Sequence, residues 1–172
     1  MAVRKLDVGC GSNHDPEFIG IDIIDGDGVD VVWDLEKHPW PFEDNSFDYI
    51  KAFHIIEHIN DQVGFFKEVH RVAANNAILH IETPHFSSNN SWADPTHVKH
   101  FSVLFTNPIV KGGYLSDTVG CYELVSRRLS FGALFGSIKA RLISKLFGYE
   151  RWERKAFKMP ARNIFIDLKV IK

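Results

Sequence analysis

The sequence predicts a single doubly wound α/β domain whose sheet is mostly parallel and takes an antiparallel strand near its C-terminus. Three observations carry this. The early apolar runs at residues 3–8, 18–23, 29–33, 47–53 and 77–81 are continuous rather than alternating, as strands buried on both faces are. Carboxylates stand at or just past three of their ends, at Asp22, Asp34 and Glu82. The last run, 163–171, instead places Ile164, Ile166, Leu168 and Val170 on alternate positions, the pattern of a strand with one buried face.

The first strand (3–8) runs into Gly9 and Gly11, and the second (18–23) ends in Asp22 and Ile23. The third (29–33) meets Asp34, and the fourth (47–53) follows the turn residues Glu43, Asp44, Asn45 and Ser46. About ten and about six residues separate the first three strands, short for parallel crossovers of a dozen or more. These two connections are therefore expected to be loops or single turns. Val63, Phe66, Val69 and Val72 at spacing three predict an amphipathic helix over 61–73, capped by Asn60 or Asp61. The fifth strand (77–81) leads into a polar segment, 83–101, rich in Ser, Asn and His. A short helix over 102–110 ends at Gly112 and Gly113, and a sixth strand covers 122–131. Leu134, Phe135, Ile138, Leu142 and Leu146 share one face of a further helix over 134–147.

A chain of 172 residues with 45% hydrophobic and 24% charged residues supports one folded domain over 1–172 and excludes a mainly disordered chain. No run approaches the roughly 18 apolar residues of a membrane span, and none has the length of a signal peptide. Two cysteines, Cys10 and Cys121, make no disulfide framework, and a reduced cytoplasmic setting is expected. The net charge of −2 hides an asymmetry: eight Lys/Arg against 19 Asp/Glu over 1–126, and ten against two over 127–162.

A glycine turn at a strand exit lets a ligand approach the backbone. A carboxylate at the tip of the neighbouring strand suits ribose hydroxyls. Asp22, Asp34 and the polar segment after the fourth strand would line one crevice, fit for a ligand with ribose hydroxyls, an adenine amine and a positive charge.

These residues resemble the class I S-adenosylmethionine-dependent methyltransferases, type 11. The matching pieces are Asp7 to Gly11, Gly20 to Asp22, Asp34 with Leu35, Pro41 to Asp48, and Ile56 to His58. They span roughly residues 4–83, in order. The resemblance implies a Rossmann-like sheet, S-adenosylmethionine as methyl donor and S-adenosylhomocysteine as product. By position it assigns Gly9, Cys10 and Gly11 to the methionine and ribose portion, Asp22 to the ribose, Ile23 to the adenine face, and Asp34 and Leu35 to the adenine edge. Ala52, Phe53 and His54 would face the methionine end with His58 nearby, and Asp7 would support the turn or meet the ammonium. Asn13 stands where the family has a third glycine, and the helix after the turn has little room.

Past the fifth strand, 83–113 reads as a substrate-side insertion. Its His85, Asp94 and His97 are the candidates to orient or deprotonate an acceptor, because imidazole titrates near neutral pH. A loop held only by Asp and His hydrogen bonds is the plainer alternative. A metal on His85, His97 and His100 is a further one, although no metal is assigned. His54, Glu57 and His58 match the H-x-x-E-H pattern of inverted zinc proteases, which keeps a zinc hydrolase as an alternative. A non-catalytic S-adenosylmethionine-binding module acting through a partner is another. The basic segment 127–162 reads as a helix covering the sheet. Its part over 134–155 also suits an anionic membrane surface or a homodimer contact, and no nucleic-acid module is recognisable. The acceptor is expected to be a small molecule or lipid-linked.

Overall fold

Seven strands form one sheet among the described residues, in the order β3-β2-β1-β4-β5-β7-β6. They are β1 (Lys5–Val8), β2 (Ile19–Asp22), β3 (Val31–Val32), β4 (Phe47–Phe53), β5 (Ala73–Pro84), β6 (Cys121–Phe131) and β7 (Ala161–Ile171). The computed structural model describes residues 3–12, 15–131, 138, 142, 145, 146 and 148–172. Pairs β1–β2, β1–β4, β2–β3 and β4–β5 are parallel. β7 runs antiparallel to both β5 and β6, so it alone is reversed. The predicted mixed α/β sheet is the observed one. Its order reverses between β1 and β4, and at such a switch point the strand ends part to leave a crevice.

Among the described residues the short early connections carry turns rather than helices, as expected. β3 shrinks to two residues, because the sheet edge gives Val32 no second layer and leaves it half exposed. β5 is longer than its apolar core, since β7 pairs with it as far as Pro84. Ile164, Ile166, Leu168 and Val170 are all fully buried.

Helix α1 (Gln62–Val72) starts at Asp61, whose carboxylate accepts the Gly64 N–H at 2.8 Å. Its buried face carries Phe65, Phe66, Val69 and Val72, and also Glu68. Arg71 grips the Glu68 carboxylate with two nitrogens, at 3.0 and 2.8 Å. The predicted helix over 102–110 is instead a chain of turns closed by three-residue hydrogen bonds such as Phe105 N–H to Ser102 O. Pro108 explains this, because it has no N–H to give and disfavours helical backbone at Asn107. The predicted helix over 134–147 falls mostly outside the described residues. No helix among the described residues is long and apolar enough to cross a membrane.

Candidate active site

Backbone geometry straps the glycine turn to the tip of β2. Gly9 and Cys10 both donate to Ile21 O, at 2.8 and 3.2 Å. Gly9 and Gly11 have φ of +70° and +57°, the left-handed region that glycine enters without a Cβ clash. Asp22 accepts the Gly11 N–H on one oxygen (2.9 Å) and the Ile24 N–H on the other (3.0 Å). Each oxygen keeps a lone pair for a ligand hydroxyl. Ile23 stands 62% exposed beside it, an apolar surface of the kind an adenine ring covers.

The other residues expected at the cofactor divide. Asp34 accepts the Glu36 N–H at 3.0 Å and shapes the turn after β3. The Leu35 side chain is buried in the core rather than facing the crevice. Ala52 is buried in β4, and Phe53 at its end is partly exposed, 5.2 Å from the His80 ring. Asp7 is buried with its carboxylate 2.7 Å from Lys51 Nζ, and that ammonium also lies over the Phe18 and Phe53 rings. Lys51 is a residue the sequence reading missed; the β1–β4 register that pairs it with Asp7 is its only signal. Burial and the nearby Asp22 and Asp7 charges push the Cys10 thiol up to about 11, so it is no thiolate nucleophile at neutral pH.

The segment after β4 differs from the zinc-protease pattern. His54 has φ +51°, and only Ile56–His58 form a single 3₁₀ turn. The helical spacing that would put His54 and His58 on one face is therefore absent. His54 turns to Glu57 (3.2 Å) and Glu82 (3.5 Å). Its hydrogen bond to Glu57 raises its pKa above the ordinary value against a smaller opposing effect of burial. Glu57 is buried, and its second oxygen accepts the Thr83 hydroxyl at 2.9 Å.

A cavity of about 540 Å³ opens beyond the ends of β4 and β5, lined by His54, Glu57, His58, Asn90, Asp94 and His97 among others. Asp94 and His97 both line this cavity, with His97 Nε2 4.0 Å from the carboxylate. Hydrogen bonds from the Thr96 hydroxyl and N–H hold Asp94 below its ordinary pKa. His85 is not brought to this cavity. It is fully buried, its Nδ1 accepts the Ser87 N–H, and Nε2 lies 3.0 Å from Glu153. With Nδ1 an acceptor, Nε2 carries the proton and donates it to the carboxylate. His100 stacks on Trp92 at 3.7 Å and bonds Ser91, so the proposed His85, His97 and His100 metal set is dispersed. Thr96, Ser91 and Thr83 are partners the sequence reading did not find, since single hydroxyls in a polar loop carry no periodic signal.

Residues 6–81 match the family model of a methyltransferase domain, type 11. Over 82 residues the chain is 33% identical to ajmaline N-methyltransferase of Rauvolfia serpentina; the match covers 44% of this chain and 28% of that protein's length. The fold is shared with the YcgJ protein of Bacillus subtilis (TM-score 0.65, 18% identity, covering 99% of this chain and 92% of that one). It is shared too with a S-adenosylmethionine-dependent methyltransferase from Archaeoglobus fulgidus (TM-score 0.59, 18% identity, covering 97% and 86%). Residues 6–81 are thus similar to the class I S-adenosylmethionine-dependent methyltransferases of type 11, and the chain shares the fold of these solved structures.

Proposed function

We propose that this protein binds S-adenosylmethionine against the Gly9–Gly11 turn and Asp22 and directs its methyl group to an acceptor in the cavity beyond β4 and β5. The observation that carries the reading is the Asp22 carboxylate. It is pinned by two backbone N–H groups at the tip of β2, beside a turn held at positive φ. The cofactor supplies an already electrophilic methyl carbon, so the chain's task is mainly placement. Asp22 takes the ribose hydroxyls, Ile23 covers the adenine, and Phe53 and His54 stand at the methionine end. Asp94, His97 and Asn90 contact the acceptor. A cavity of this size fits a small molecule or the head of a lipid-linked one.

Calorimetric titration with S-adenosylmethionine and S-adenosylhomocysteine tests the reading. Micromolar binding, about −8 kcal/mol, is expected for the wild type and is lost in Asp22→Ala with an unchanged circular dichroism spectrum. No binding of either compound to the wild type overturns it.

A further inference from the structure

We propose that Glu57, His58 and His97 form a binding site for one divalent first-row transition ion of the zinc and iron(II) type, in the wall of the cavity. One ligand atom from each lies within 4.8 Å of the other two. Donor atoms about 2.1 Å from a shared tetrahedral ion stand about 3.4 Å apart, so each side chain moves inward by under about 1 Å.

The hydrogen bonds around the two imidazoles prepare them as ligands. His58 Nδ1 lies 3.2 Å from the carbonyl oxygen of Thr96, and His97 Nδ1 lies 3.1 Å from that of Ser91. A carbonyl only accepts, so in the neutral form of both rings Nδ1 carries the proton and Nε2 offers its lone pair. Protein metal sites orient histidine in this way, through the nitrogen that does not bind the ion. The arrangement continues outward. The Thr96 hydroxyl sits 3.0 Å from His58 Nδ1 and donates to Asp94 at 2.6 Å.

Glu57 completes the set. Its carboxylate is anchored by the Thr83 hydroxyl at 2.9 Å. Its backbone carbonyl accepts from Val98 N–H and Lys99 N–H, at 2.9 and 3.1 Å. The carbonyl contacts clamp the loop that carries His97 onto the turn that carries Glu57 and His58, so the three ligands are held by one another's backbone. Two neutral imidazoles and one carboxylate suit zinc, iron(II), cobalt or manganese; calcium and magnesium prefer all-oxygen shells. This set differs from the H-x-x-E-H motif: His97 replaces His54, and Glu57 becomes a ligand rather than a base. No ligand comes from the glycine turn, so the site stands or falls independently of the cofactor reading.

The test uses chelator-treated protein titrated with Co²⁺, followed by visible absorption, with Zn²⁺ as competitor and no S-adenosylmethionine present. One Co²⁺ per chain, displaced by Zn²⁺ and not by Mg²⁺, is the expected result. His58→Ala, His97→Ala and Glu57→Gln each weaken binding at least about 100-fold, while Thr96→Val, which removes one outer partner, weakens it about 10-fold. His38→Ala, outside the cluster, binds as the wild type does. Should buried Glu57→Gln not fold, His58→Ala and His97→Ala decide. Absence of saturable wild-type binding, or unchanged affinity in both histidine variants, overturns the proposal.

Discussion

Gly9 and Ile55 face each other across the glycine turn so closely that a Cβ on Gly9 would lie 2.5 Å from Ile55 Cγ1. The turn after β1 and the segment after β4 are therefore one packed unit. Any movement of one is felt by the other, and the crevice between them is shaped by both.

This contact predicts unequal costs for two glycines of the same turn. At Gly11 a Cβ meets nothing within 4 Å, so Gly11→Ala suffers only the left-handed backbone penalty of about 1–2 kcal/mol. Gly9→Ala adds the overlap with Ile55, itself about 1–3 kcal/mol. Urea unfolding of both variants reads the difference. Equal midpoints would show that Ile55 yields freely.

A second prediction concerns the pair beneath the turn. Lys51→Met removes the ammonium 2.7 Å from the buried Asp7 carboxylate and is expected to destabilise by about 3 kcal/mol, as breaking buried pairs does. Adding Asp7→Asn removes the charge that the single change exposes to the interior, and recovers part of the loss. Chemical denaturation of the two variants measures both. A double variant no more stable than Lys51→Met would assign the loss to Lys51 packing over Phe18 and Phe53.

The third prediction is a pH dependence at Glu153. Burial pushes this carboxyl up, but the His85 ring, the Ser102 hydroxyl and the Val103 N–H all donate to it and hold it below its ordinary 4.5. A carboxylate with a depressed folded pKa stabilises the fold above its unfolded value, and that contribution is lost as pH falls through the folded value. Glu153→Gln is expected to cost about 2 kcal/mol near pH 7, as lost charge-assisted hydrogen bonds do. The gap to the wild type is expected to close below about pH 4.5 as the wild-type carboxyl protonates. Thermal melts of both proteins across that range test it; a gap constant down to strongly acidic pH would contradict it.

The glycine turn and Asp22 were legible because their signals are local. Gly9 and Gly11 follow a strand directly, Asp22 ends the next one, and each residue's role depends on its neighbours in the chain. The segment that lines the cavity was legible only as a polar loop. Asp94 and His97 reach the cavity, whereas His85, in the same loop, is buried against Glu153, 68 residues later. The His54, Glu57 and His58 spacing misled for a physical reason. A left-handed His54 followed by one 3₁₀ turn changes the angle between side chains, and a helical spacing rule then says nothing about which share a face.

By itself the sequence determined the strands, the reversed C-terminal strand, the amphipathic helix and the glycine turn beside Asp22, because hydrophobic period and turn chemistry act over a few residues. Only the tertiary structure decided that Asp7 is neutralised by Lys51, that Leu35 belongs to the core, and that Glu57, His58 and His97 converge. Strand order and register bring residues 26 to 44 positions apart into contact, and those pairings depend on how the whole sheet buries its faces, which no local pattern records.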